Sequence, residues 1–540
     1  VRREGFGGRL LVAAAGVAGA VALVVALWQL IAPRLAVGRI EQVDIGGVPA
    51  TVYAPGGAPG PAVVIAHGFA GSQQIMEPFA LTLARGGFTA ITIDFPGHGR
   101  NPAPLRGALA DGEGRYAQLS AALDLAVSYA RRAGDGRVGL VGHSMGSEAV
   151  VRYAEAHPEI AATVGVSLVY DGATATAPRN LLVITGALEG NLSPIARSVA
   201  DAAAGGAGEL ERTYGDVAAG TARRVVLAPT VEHVGVLFSP VSMAETLAWF
   251  RAAMPAAGVP GGADYIDARA PWLGLLYVGA TLLFWPFSRL LQPVEAGAAM
   301  AGGGAEGQPA AANGGRRARW GWWAAALAPA LLTPPLLRLL PGSELLPILV
   351  GGPLALMFAA YGLITALGLL ALRLAEGRRA GRGPRVGRRL AVGRRRALVA
   401  LASALLVVGY VFLAFGLPAQ IFLLNYFPPP VRLPIFLAVL VAMLPFFLAD
   451  EALTRGPWAP RGGYAITKLL FLGSLALAIA LNPRELFFLV LIAPLLLAYF
   501  CVYGLFSTLC YRRTGAYAVG ALANSAIFAW IVAAVFPLVG

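Results

Sequence analysis

Five residues, Gly142-His143-Ser144-Met145-Gly146, stand between a short run from Arg137 to Val141 that reads as a strand and one from Glu148 to Ala156 that reads as a helix. That placement suits a nucleophilic serine. Small residues at 142 and 146 allow a sharp strand-to-helix turn that lifts the Ser144 hydroxyl, while the helix N-terminus faces a developing oxyanion. G-x-S-x-G arises by chance in a chain with 68 glycines, so the reading rests on where it falls.

A hydroxyl nucleophile needs a base, and the chain has five histidines. His67 and His98 precede the serine at strand ends, His143 lies inside the elbow pointing away, and His157 precedes Pro158 at a helix end. His233 remains, in a short loop after the last strand, where the order serine, acid, histidine expects the base. The acid should follow a late strand. Glu189, in the turn after Asn180 to Gly186, fits best, with Asp171 after Tyr170 as the alternative. Two backbone donors must meet at the oxyanion: Met145, directly after the serine, and Phe69 in the turn His67-Gly68-Phe69-Ala70-Gly71-Ser72. An apolar acyl slot is expected from Phe69, Met145, Leu237 and Phe238, with His67, Gly68 and His143 around the serine.

The motifs HGF at 67–69, DFPGHG at 94–99, GHSMG at 142–146 and EHVG at 232–235 together resemble an α/β-hydrolase over residues 38 to 253, about two-fifths of the chain. The resemblance implies an eight-stranded sheet and a triad of Ser144, His233 and an acid, acting on esters, thioesters, amides or related bonds, with no cofactor or metal. It says nothing of the remaining chain. Two departures stand out. Only about nine residues separate Tyr170 from Asn180, where many relatives insert a lid, so no large cap fits. The stretch from Glu189 to His233 is longer than in many relatives.

The elements that must position these residues lie in a very apolar chain: 540 residues, 57% hydrophobic and 13% charged, with a net charge of +13. Much of it must lie in lipid. The basic residues cluster between apolar runs, which reads as a topology signal rather than as nucleic-acid binding. Cys501 and Cys510 imply neither a disulfide framework nor a metal site.

Residues 10 to 32, after Arg2, Arg3 and Arg9, read as a signal anchor within a first segment 1–37; Ala36 to Gly38 leaves a cleavable signal as the alternative. Between 38 and 253, strands are expected near 38–45, 48–54, 61–66, 88–93, 137–142, 163–169, 181–186 and 223–228, and helices near 73–86, 114–133, 145–157, 193–204 and 240–252. This is an α/β domain with a mostly parallel sheet. A linker at 254–270 leads to an all-α polytopic domain, 271–540, with apolar runs at 272–291, 321–340, 344–373, 397–417, 431–449, 464–481, 485–509 and 516–538, giving about nine spans in total.

Every second loop of that domain is rich in arginine: Arg316, Arg317 and Arg319, then Arg373 through Arg396, then Arg455 and Arg461, then Arg512 and Arg513. The positive-inside rule puts those loops and the N-terminus in the cytoplasm, and the α/β domain outside. Ionisable residues near the spans fall mostly at their ends, with Asn425, Tyr426 and Arg432 in one outer segment. No run of buried carboxylates or histidines suggests a proton relay, and no phosphate loop is present, so energised transport has little support. The expected function is a membrane-integral serine hydrolase of lipid-like esters. Acyl transfer by the same triad, peptide or amide cleavage, and a transporter or scaffold carrying a non-catalytic module are the alternatives.

Overall fold

The computed structural model describes residues 6–540 apart from 58, 107–111, 256–263, 295–314, 341, 343–344, 380–392 and 487–488. The Gly/Ala-rich stretch at 296–315 and the centre of the arginine-rich 373–396 loop therefore lie largely outside the described residues. Two compact units are present. One comprises residues 22–277, 417–429 and 537–540, and the other residues 1–21, 278–416 and 430–536.

The first unit is built on a nine-stranded sheet, β1 (Arg39–Ile45), β2 (Val48–Ala54), β3 (Ala62–Ala66), β4 (Thr89–Ile93), β5 (Val138–His143), β6 (Ala162–Val166), β7 (Leu181–Gly186), β8 (Thr213–Tyr214) and β9 (Arg223–Ala228). Their order is β1-β2-β4-β3-β5-β6-β7-β9-β8. All eight strands read from sequence are there. The ninth is the two-residue β8, an antiparallel edge on β9 too short to leave a periodic signal. β1 and β2 form an antiparallel hairpin, β2 meets β4 antiparallel, and the strands from β4 through β3, β5, β6 and β7 to β9 run parallel. The sequences AVVIA, TAITI and ATVGV explain why: strands covered on both faces need continuous apolar runs, and every residue of β3, β4 and β6 is buried.

Strand order reverses at β3. From there the chain adds β4 on one side and then returns to add β5 on the other, with Ala66 paired to Gly142 at the carboxyl ends. That switch point leaves a crevice in an open parallel sheet, and it opens between the HGF turn and the serine elbow. Helices α2 (Glu77–Arg85), α3 (Gly112–Ala133), α4 (Met145–Ala156) and α5 (Ser193–Ala204) connect the strands, and α6 (Pro240–Ala253) follows the last of them. Phe79, Leu83, Met243, Leu247 and Phe250 from α2 and α6 join Val63, Val141 and Val164 of the sheet in one core.

The last turn of helix α1 (Phe6–Leu35) and the residues before α7 (Ala270–Phe287), which belong to this unit, meet the sheet domain through buried charge. Glu77, in the first turn of α2 and fully buried, pairs with Arg34 from the last turn of α1 and, at 2.7 Å, with Arg269. Arg269 also forks onto Asp267 at 2.7 Å, and the Tyr53 hydroxyl donates to Glu77 at 3.2 Å.

Among the described residues, eight helices are long and apolar enough to cross a bilayer, compatible with a multipass membrane protein: Phe6–Leu35, Ala270–Leu290, Gly351–Ala375, Arg394–Phe422, Pro430–Thr454, Gly463–Leu481, Ile492–Thr514 and Tyr517–Val535. The ninth expected run, 321–340, is helical as part of Gly315–Leu339 but is not one of the eight. Three prolines, three tryptophans and four arginines dilute its aliphatic content.

In the second unit, Gly362 lets one helix approach the backbone of another at Pro445 and Phe446, as small residues do in membrane packing. Two sites of buried charge stand out here. Arg432 is buried and donates to the carbonyls of Ala533 (2.9 Å) and Phe536 (2.6 Å), at the C-terminal end of Tyr517–Val535 where a cation is favoured. Asp450 and Glu451 are buried side by side, and each has its own cation: Lys468 for Asp450, and Arg455 at 3.1 Å for Glu451.

Removing one partner from a buried ion pair strands the other charge. Glu77→Gln should therefore cost about 3 kcal/mol of stability and lower the melting temperature of the full-length protein. Glu41→Gln, at the exposed Arg39–Glu41 pair, should change stability by less than about 0.5 kcal/mol.

Candidate active site

Ser144 follows β5 with φ 52° and ψ −119°, a left-handed backbone that costs a side-chain-bearing residue energy and persists only where its surroundings impose it. Here the Ser144 N–H donates to Val166 O at 3.0 Å, and Ser144 O accepts from the N–H groups of Ser147 (2.8 Å) and Glu148 (3.2 Å). The elbow has no room for a side chain at Gly142, where a Cβ would lie 2.1 Å from Gly146 O.

His233 sits in the turn beyond β9. Its Nε2 is 2.9 Å from Ser144 Oγ, and its Nδ1 is 2.6 Å from Glu189 Oε1. An ionised carboxylate only accepts, so Nδ1 carries the proton and Nε2 is left to accept from the serine hydroxyl. The other carboxylate oxygen of Glu189 accepts from Ser167 Oγ at 2.8 Å and from Gly186 N–H at 2.6 Å. Glu189 is thus fixed by three hydrogen bonds while nearly out of water. Asp171, the alternative acid, is exposed, and the carboxylate that reaches the imidazole is that of Glu189.

Ser167 was not among the residues singled out from sequence. It stands at the end of β6 with φ 51°, and only the neighbouring positions of β6 and β7 bring it to Glu189. The loop of His233 is held from two sides. The Glu232 carboxylate accepts from Val234 N–H and Gly235 N–H, each at 2.8 Å, and His143 Nε2 donates to His233 O at 2.9 Å.

Three expected pocket residues do other work. His143 is a strut beneath the His233 loop. Burial first, and the neighbouring His233 second, lower its pKa to about 3, so it stays neutral with its proton on Nε2. His67 is fully buried; Nδ1–H donates to Gly68 O at 2.7 Å and Nε2 accepts Phe95 N–H at 3.1 Å. It staples two turns together and has no nitrogen left for a substrate. Leu237 is 1% exposed inside the core, a packing residue rather than part of a slot. Phe238, partly buried, packs against a cluster of Ala26, Leu30, Leu276 and Phe422.

Gly68 does lie against the elbow: a Cβ there would be 3.0 Å from Ser144 Cβ. Phe69 follows it, partly buried, with its ring 6.2 Å from that of His98. Met145 opens α4, so its N–H is one of the amides that a helix start leaves without an intrahelical acceptor. Among the described residues no group of three or more His, Cys, Asp or Glu side chains is placed to hold a metal.

If Glu189 orients the base, Glu189→Gln should lower kcat about a hundredfold or more. Ser167→Ala, which removes one donor to that carboxylate, should lower it about tenfold, and Asp171→Asn should leave it unchanged; steady-state kinetics of the three variants checks the order. The pH dependence of stability follows from His143. Its folded pKa lies near 3 against an ordinary 6.5, so between those values the unfolded chain binds more protons. Stability then falls as pH is lowered, by up to about 1.4 kcal/mol per pH unit from this group, and His67, also depressed by burial, acts in the same sense. His143→Gln, which keeps a donor for His233 O, should flatten the decline of melting temperature with acid; an unchanged slope would contradict it.

A family model described as the alpha/beta hydrolase fold matches residues 61–180. No curated protein matches the sequence. Similar solved structures include a CIB-like hydrolase from Thermoplasma acidophilum, 14% identical with a TM-score of 0.31, covering 39% of this chain and 97% of that one. Another is a dienelactone hydrolase from Anabaena variabilis, 17% identical with a TM-score of 0.29, covering 40% and 97%. Likeness at that level carries no argument about chemistry. The strand order, the serine elbow and the family match over residues 61–180 agree that this domain has the α/β-hydrolase fold.

Proposed function

We propose that this hydrolase is a membrane-integral serine hydrolase that cleaves esters or thioesters of lipid-like substrates through an acyl-enzyme. The observation that carries the reading is the hydrogen-bonded line from Ser144 Oγ through both nitrogens of His233 to Glu189, at 2.9 and 2.6 Å. Ser144 Oγ attacks the carbonyl carbon as His233 Nε2 takes its proton. Glu189 keeps the imidazole in place and stabilises its cationic form. The carbonyl oxygen, now an anion, receives the amides of Met145 and Phe69. Collapse expels the alcohol or thiol, protonated from Nε2, and water delivered by the same imidazole releases the acid and restores Ser144.

A lipid-like substrate is favoured by the eight membrane-capable helices and by the short loop where a lid would stand. The apolar cluster around Phe238 and Phe422 adds to this. The spacing of arginine-rich loops supports a cytoplasmic N-terminus with the α/β domain on the opposite side.

The test is an ester panel assayed with full-length protein in bilayers. Turnover should depend on Ser144, falling by about 10⁴-fold or more in Ser144→Ala, and kcat/KM should rise from butyryl to long-chain esters. Serine-independent turnover would end the hydrolase reading, and a flat response to chain length would remove the lipid assignment while leaving the chemistry.

A further inference from the structure

The HGF turn that presents Phe69 does not stand alone, and two of the segments bracing it come from the far end of the chain. His67 is bonded to Phe95 N–H, and Gln73, just past the turn, gives its N–H to Asp94 Oδ1 at 2.9 Å and its side-chain amide to Asp94 Oδ2 at 2.6 Å. The Arg100 N–H closes onto the same carboxylate at 3.0 Å. The turns after β3 and β4 are therefore cross-linked by hydrogen bonds through His67, Gln73 and Asp94.

Both turns are gripped from the C-terminal half. The Asn425 N–H donates to Ser72 Oγ at 3.0 Å, and its Nδ2 donates to Gly99 O at 3.1 Å, with Asn425 only 2% exposed. Gln420 secures Asn425 in turn, donating to its Oδ1 at 3.2 Å and accepting Phe427 N–H at 2.8 Å. Farther along the sequence, Leu538 N–H donates to Gly97 O and Leu538 O accepts Leu105 N–H, both at 2.8 Å, and Val539 bridges Leu105 in parallel. The fit is close: a Cβ on Gly97 would lie 2.3 Å from Leu538 O.

We propose that Asn425 and Leu538 are positioning residues for ester cleavage, fixing the oxyanion turn 67–72 through Ser72 and the 94–105 turn. Asn425 lies between two membrane-capable helices, Arg394–Phe422 and Pro430–Thr454, and Leu538 follows a third, Tyr517–Val535. Asn425 and Leu538 belong to the same compact unit as the sheet, although they lie far beyond its last strand in the sequence. Backbone donors aimed at an oxyanion act only when held still, so loosening this grip should weaken transition-state stabilisation and leave substrate binding nearly alone. The proposal rests on the serine-hydrolase reading of the same site.

The experiment compares full-length wild type with Asn425→Ala and Leu538→Pro, the latter removing the N–H that Gly97 O accepts. The expected result is a fall in kcat of about ten- to a hundredfold with KM within about twofold, the pH profile of kcat/KM unchanged because His233 and Glu189 are untouched, and faster amide hydrogen exchange confined to residues 67–73 and 94–105. If either variant fails to fold, Ser72→Ala tests the grip at its other anchor by removing the acceptor of the Asn425 backbone N–H, with Ser72→Thr restoring an acceptor and the rate. Unchanged kcat in a folded variant would overturn the proposal, as would equal losses in melting temperature and exchange protection across the whole domain. Wild type that shows no Ser144-dependent turnover would defeat the hydrolase reading instead, and the exchange pattern would still decide whether the grip exists.

Discussion

His233 has two nitrogens and each has one partner, so the site depends on keeping a single ring in a single orientation. Glu189 does this from below, and its own position is set by a hydroxyl and a backbone amide that meet its second oxygen. Charge-assisted hydrogen bonds of this kind are shorter and stronger than neutral ones, and in a nearly dry setting they leave a carboxylate little freedom to turn. The strained Ser144 is the counterpart: a residue at φ 52° whose hydroxyl has one direction to point. Two residues in left-handed backbone, Ser144 and Ser167, thus bracket the imidazole, at the carboxyl ends of adjacent parallel strands.

Around that centre, charge is used as mortar in places where composition promises only grease. Glu77 joins the first helix and the segment before α7 to the sheet unit through two arginines. In the other unit, Asp450 and Glu451 are each matched by a cation on a neighbouring helix or turn. Lys468 also lies 4.3 Å from the centre of the Tyr464 ring, which suits an ammonium removed from water. Pairing makes these charges tolerable in an apolar interior, and it makes every partner hard to replace singly.

Much of the sheet could be read from the sequence because parallel strands must be apolar throughout and the turns between them are marked by glycine. The serine elbow and the histidine that lies beside it could be placed by residue type and order: Ser144 between a strand and a helix, His233 after the last strand. Both Glu189 and Asp171 follow late strands, so sequence could rank Glu189 first without excluding Asp171; the side-chain bond to His233 is made by Glu189. The misjudged residues share a cause. His67, His143 and Leu237 lie at the right places along the chain, but which way a side chain faces at a strand end or in the turn Gly235–Phe238 depends on neighbours supplied by other elements. Ser167 required the register of β6 against β7. Asn425 is legible from local pattern only as a polar residue of an outer segment; its partner is not, because the residue it holds, Ser72, is 353 positions away.

The account depends on Ser144 forming a covalent bond to the acyl group with His233 as its base. The direct measurement is rapid-quench mass spectrometry of the full-length protein during turnover of a short ester. A transient mass gain equal to the acyl group is expected, mapped to the peptide containing Ser144 and absent from Ser144→Ala and His233→Ala. Turnover without that adduct under conditions where deacylation is slow, or an acyl group carried by another residue, would contradict it.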